Sequence, residues 1–181
     1  KTLDPSNPVF VTHWGAYAPY PADTYFAAGD GTDVLITDAY PVHADRPGEP
    51  GGQLWLQAVS ARHHAQLAAS HNKPYMNIVQ AFFQGEYYQQ PTYAEFRYLA
   101  YAPVVEGARG LFPYFYYSDP TGYYGTTPDQ RANVVGPIIR EIGSLTGAIM
   151  SDSTAVTVTS NRDTDTTGHG IEDVTYLIGQ D

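Results

Sequence analysis

Apolar positions along the chain alternate between two rhythms. Four runs are continuously apolar, β-branched or aromatic: residues 8–15 (PVFVTHWG), 33–42 (DVLITDAYPV), 73–83 (KPYMNIVQAFF) and 108–117 (ARGLFPYFYY). Unbroken runs of that length between polar turns predict strands buried on both faces of a sheet. Between them the spacing becomes helical. Residues 53–71 are rich in Ala, Leu and Gln, and residues 92–106 open with Thr92 and Glu95 at capping-box spacing. Val135, Ile138, Ile139, Ile142 and Leu145 mark one face of a last helix. A shorter helix is predicted over 21–31, and Pro103 and Pro137 should bend or delimit the helices that hold them.

Strand then helix, repeated in this way, predicts an α/β fold with a parallel sheet and helices outside it. The same order is that of four βα units, half of a (β/α)8 barrel, here over residues 1–150. A doubly wound sheet would share the rhythm, but no glycine-rich phosphate turn follows any strand. Beyond residue 150, two β-forming stretches, 153–161 and 172–180, flank a polar turn. They predict a β-hairpin, the beginning of a β-sandwich-like, all-β domain over 151–181.

Composition narrows the chemistry. With 181 residues, 43% of them hydrophobic, the chain can bury a core. Aromatics make up 14%, including 16 Tyr. Tyrosine offers a flat apolar face with a polar tip, which suits sugars and many protein partners. Nine Lys and Arg against 19 Asp and Glu leave a net charge of −10, which repels a phosphate backbone and argues against nucleic acid. There is no Cys, hence no disulfide, thiolate nucleophile or Cys-based metal site, a composition that fits secretion without covalent staples. The chain opens at Lys1 without a leader pattern, as a processed, trimmed or excerpted chain would, and no apolar run is long enough to span a bilayer.

In parallel barrels the chemistry collects at the C-terminal ends of the strands. The first strand ends in His13 and Trp14, and the second in Asp38, Tyr40 and His43. The third ends in Gln80, Phe82 and Phe83 with Glu86 beyond, and the fourth in Tyr114, Tyr116 and Asp119. Asp38 directly follows Val-Leu-Ile-Thr, so its carboxyl group should project at a strand end, partly desolvated by Tyr40 and Pro41. Such a group acts as acid, base or nucleophile, or holds a sugar hydroxyl; alternatively it caps a loop or pairs with an arginine. Gln80, in an apolar strand, must bond either a ligand or another buried polar group. His13 beside Trp14 is either a ligand contact next to a stacking platform or a core histidine. His63 and His64 diverge around a helix and make no metal pair; both are expected at the surface. Arg109 is expected to pair with a strand-end acid. Asn161, Asp163, Asp165 and Glu172 fall at calcium-loop spacing, but Thr166 stands where that loop needs Gly, so a solvated turn is the expectation and no metal is assigned.

The motif series Asp-x-Tyr-Pro (38–41), Gln-Ala-Phe (80–82), Pro-Thr-x-x-Glu-Phe-Arg (91–97) and Gly-Ala-Arg-Gly (107–110) before an aromatic strand resembles the second half of secreted, polymer-degrading glycoside-hydrolase-like barrels. The resemblance spans residues 8–147. It implies a secreted or extracellular protein, a carbohydrate substrate, and a β-sandwich-like domain after the barrel. Asp38, Tyr40, Gln80 and Tyr114 would face the sugar. Retaining enzymes of this fold carry glutamates at the ends of the fourth and seventh strands. If the third strand here is the seventh, Gln80 stands near that position and Glu86 lies six residues on. The expectation is therefore a glycosidase in which Asp38 is one carboxyl group and the second belongs to the N-terminal half of the barrel, supplied by another chain or a removed segment. Glycosidic cleavage by two carboxyl groups, about 5 Å apart for retention and about 6.5–9.5 Å for inversion, needs no cofactor. The competing expectation is an inactive barrel that binds glycans or scaffolds a partner.

Overall fold

The alternating pattern folds as alternating strands and helices. The structure, a computed structural model, describes residues 6–15, 20–27, 31–43, 53–115, 117 and 122–150, together with the backbone of 153–159 and 173–179. In chain order the elements are β1 (Phe10–Trp14), α1 (Pro21–Ala27), β2 (Val34–Ala39), α2 (Trp55–Ser70), β3 (Tyr75–Gln80), β4 (Phe83–Gln84), α3 (Tyr93–Val105) and β5 (Leu111–Tyr114). There follow β6 (Tyr124–Gly125), α4 (Pro128–Gln130), a π turn at Arg131–Val135, α5 (Gly136–Ser144), α6 (Thr146–Met150) and the hairpin strands β7 (Ser153–Thr159) and β8 (Asp173–Gly179).

Strands β1, β2, β3 and β5 form one parallel four-stranded sheet in that order. The order follows the chain without the reversal that defines a doubly wound sheet. β4 and β6 make a two-stranded antiparallel ribbon that the apolar pattern did not signal, and β7 pairs antiparallel with β8 as predicted.

Register decides which side chains share a face. His13, Thr37, Asn77 and Leu111 are aligned across the sheet, as are Trp14, Asp38, Ile78 and Phe112 one residue on. Because side chains alternate, the two rows point to opposite faces. Helices cover the first face. Leu35 and Tyr75 pack with Ala22 and Phe26 of α1 and with Ala61 and Ala68 of α2. Val79 packs with Phe96 and Ala100 of α3 and with Val135 and Ile138. The second face has no helix over it among the described residues. Phe10, Trp14, Phe112 and Tyr114 on that face are each about half exposed, at 55, 53, 49 and 46%.

This corrects one expectation. Burial on both faces holds for the central strand β2, whereas at the sheet's two edges β1 buries only His13 and β5 alternates between half-buried and exposed residues. Within β5, Leu111 packs on the helices, whereas Phe112 shares the parity of Tyr114 and lies on the open face.

Among the helices, α3 carries the predicted capping box: Glu95 N donates to Thr92 Oγ1, and Thr92 N donates to Glu95 Oε2. Pro137 stands in the first turn of α5, where its missing N–H costs nothing. Pro103 lies in the last turn of α3 without ending it. Arg109 sits at the entrance to β5, the wrong end to reach a strand-end acid, and its Nη1 donates to Ile149 O at 2.6 Å. His64 is fully buried, contrary to the surface expectation. It falls on the stripe of α2 that includes Gln57, Ser60, Ala61 and Ala68, the stripe that meets the sheet, while His63 lies one step round.

Candidate functional site

Asp38 is the second-last residue of β2 and lies on the open face, in register with Trp14 of β1. Its backbone is held by the neighbouring strand: Gly15 N donates to Asp38 O at 2.7 Å. Gly15 has no room for a side chain, because a Cβ there would lie 2.7 Å from Ser60 Oγ, 3.2 Å from Asp38 O and 3.2 Å from the His64 ring. The end of β1 therefore packs tightly onto α2, which fixes the level at which Asp38 emerges.

The Asp38 carboxyl group is half-buried and carries a buried oxygen, Oδ1, with no hydrogen-bond partner. The Tyr40 hydroxyl donates to the same carboxyl group. Burial raises the pKa of Asp38 above the ordinary carboxylate value, and the Tyr40 hydrogen bond opposes that rise only in part. Burial, followed by the adjacent Asp38 charge, likewise raises Tyr40, which stays protonated as a donor. Among the described residues no other carboxylate contributes to the environment of Asp38. A carboxyl group that resists ionisation, half-buried at a strand end on the open face, is equipped to donate a proton to a bound oxygen.

Aromatic rings surround it. Tyr40 and Tyr114 stack at 5.7 Å with an interplanar angle of 18°. Phe82 closes on both, edge-on to Tyr40 at 5.1 Å and to Tyr114 at 5.7 Å. Tyr88 meets Tyr40 and His43, and Phe115 extends the cluster from Tyr114 toward Tyr124. Phe82 is itself buried and backs the tyrosines.

The strand-end glutamine has a different occupation. The Gln80 side chain is fully buried, accepting from Val42 N at 2.9 Å and donating to Val42 O at 2.9 Å and Gln89 O at 3.2 Å. Its amide is committed to the backbone of the loops that carry Pro41 and Tyr88. Other polar side chains stitch the same region: Gln90 Nε2 donates to Ala81 O at 2.6 Å, and Thr126 Oγ1 donates to Ala81 O at 2.8 Å and also contacts Phe115 O.

Trp14, Asp38, Tyr40 and Tyr114 are thus brought together on one surface. His13 is not. Adjacent strand residues point to opposite faces, so it lies on the helix side against Tyr25, at a ring distance of 4.8 Å, and burial lowers its basicity. Glu86 sits in the exposed turn at Gly85–Tyr87. Tyr116, Asp119 and the calcium-spaced residues Asn161, Asp163, Asp165 and Glu172 lie outside the described residues. Among the described residues no group of three or more His, Asp or Glu is placed to hold a metal ion.

Sequence reasoning passed over Tyr88 and Tyr124, which enter the cluster through the short β4–β6 ribbon. Two-residue strands leave no periodicity to detect. The tyrosine pairs at 87–88 and 123–124 were the available signal. No family model, curated protein or solved structure matches the chain.

Proposed function

We propose that this chain supplies part of the active site of a glycoside hydrolase acting on a poly- or oligosaccharide, with Asp38 as a strand-end catalytic carboxyl group. The observation that carries this reading is the Asp38 carboxyl group itself: half-buried, with one unpaired oxygen, beside the stacked pair Tyr40 and Tyr114. A sugar ring laid against those tyrosines would set its glycosidic oxygen within reach of Asp38. Asp38 would give its proton to that oxygen as the bond to the anomeric carbon breaks, and water would supply the hydroxyl group that replaces the leaving sugar.

The second carboxyl group belongs, on this reading, to a complementary βα half that closes the barrel. The open face supports such a partner, since Phe10, Trp14, Phe112 and Tyr114 stay half exposed in its absence. So do the sheet's edges, β1 and β5, which have no further strand beside them among the described residues and suit the addition of a parallel one. A secreted or extracellular setting follows from the polymer substrate.

The lack of a second carboxylate beside Asp38 among the described residues favours a second reading, a catalytically silent glycan-binding barrel. Asp38→Asn separates the two. Measured on chromogenic and polymeric glycosides with the complete assembly, a hydrolase loses turnover by about a thousandfold or more while sugar binding persists. Unchanged turnover excludes Asp38 as the acid, and no turnover from the unmodified protein on any glycoside leaves the binding reading.

A further inference from the structure

Beyond the strand ends, aromatic rings continue outward over the rim without a gap. Tyr40 stacks on Tyr114, Tyr114 meets Phe115 at 4.9 Å, Phe115 meets Tyr124 at 5.7 Å, and Tyr124 meets Tyr117 at 6.4 Å. The outer rings are open to solvent, Tyr117 by 53% and Tyr124 by 39%. They are not loose ornaments. Tyr124 lies on β6, paired with Gln84 of β4, and the neighbouring Tyr123 ring covers Gly85 so closely that a Cβ there would sit 2.9 Å from it. Gly85 also holds a positive φ of 49°, a backbone state that keeps the ribbon's turn tight and suits glycine.

We infer that Tyr124 and Tyr117 form an outer binding track for a neutral polysaccharide chain, so that the protein holds several sugar units at once and acts within a polymer. This deepens the glycosidase reading and rests on it for the position of the reaction. Three features select the ligand. Tyrosine faces stack on the C–H surfaces of sugar rings while their hydroxyl groups bond sugar hydroxyls. The track runs continuously into the Asp38 cluster, so one chain can occupy both. A net charge of −10, with Glu86 exposed on the same ribbon's turn, repels uronic-acid or sulfated polymers and leaves neutral ones.

Affinity electrophoresis tests this directly, using native gels cast with hydroxyethyl cellulose, galactomannan, arabinoxylan or laminarin, and alginate as the polyanion. The full protein should be retarded in at least one neutral gel and not in alginate. Tyr117→Ala with Tyr124→Ala should weaken that retardation about ten-fold, the paired Phe variant should keep it within about two-fold, and Asp38→Asn should keep it whole. If the alanine pair fails to fold by circular dichroism, Tyr117→Ser alone carries the comparison. Equal retardation of the alanine and unmodified proteins overturns the track, as does retardation in alginate or in none of the neutral gels. The two readings fail separately: turnover lost in Asp38→Asn with retardation unaltered by the alanine pair removes only the track, and retardation without turnover removes only the hydrolase.

Discussion

His64 shows how much a single buried side chain determines here. Its Nδ1 lies 2.7 Å from Ser60 O, which makes Nδ1 the protonated nitrogen and leaves Nε2 buried without a partner. Tyr20, Tyr75 and His63 surround the ring, and His13 and Asp23 lie within its field. Burial dominates and lowers its pKa from 6.5 to about 4, against the opposing hydrogen bond to Ser60. Between those values the unfolded chain binds a proton that the folded chain refuses, so stability rises with pH across the window and falls as acid is added. At about 1.4 kcal/mol per pH unit, the group accounts for a loss of about 3 kcal/mol on acidification from 6.5 to 4. Urea unfolding over this range should show that loss in the unmodified protein and a much flatter profile in His64→Leu. Parallel profiles would contradict it. The sequence did not reveal this burial, because a His-His pair in an alanine-rich helix looks the same on either face until the sheet it packs against is known.

At the scale of elements, the loops after β2 and β3 are positioned by side chains rather than by secondary structure. Gln80 is the central clamp, with its amide oxygen against Val42 N and its NH2 group against Val42 O and Gln89 O. Gln80→Met keeps the volume but leaves these backbone groups unpaired in the interior, at a cost of about 2–3 kcal/mol. It should also loosen Tyr40 and Tyr88, the rings that flank those loops. Chemical denaturation should show the stability loss, and an unaltered midpoint would mean that water replaces the amide. Much of this layer was readable in the sequence. The βα order, the capping box at Thr92 and Glu95, and the apolar face from Val135 to Ile142 all form as their spacing implies, because each is set by local chemistry or by one helix face. The predicted apolar face overshot at Leu145, which is 43% exposed just past the end of α5. Less was readable where outcome depends on strand register. A glutamine predicted to choose between ligand and core took the core, and His13 and Trp14 separated to opposite faces because neighbours in a strand must.

For the molecule as a whole, among the described residues the sheet is covered by helices on one side and has none on the other, with the only strand-end carboxyl group of that open face at Asp38. A parallel sheet is ordinarily buried on both faces, so this exposed apolar surface is where the proposed partner and ligand would bind. The proposed sugar site requires that surface, not the helix side. Trp14 reports on it, since it sits beside Asp38 in register and is 53% exposed, while the chain's second tryptophan, Trp55, lies on α2. In a Trp55→Phe variant, fluorescence therefore reads Trp14 alone. Acrylamide quenching of that emission, titrated with neutral gluco-, xylo-, manno- and galacto-oligosaccharides, is the most direct measurement. Protection of Trp14 that saturates with at least one of these sugars and weakens in Tyr114→Ala is the predicted result. Full quenching at every sugar concentration, in the complete assembly, would contradict the saccharide site.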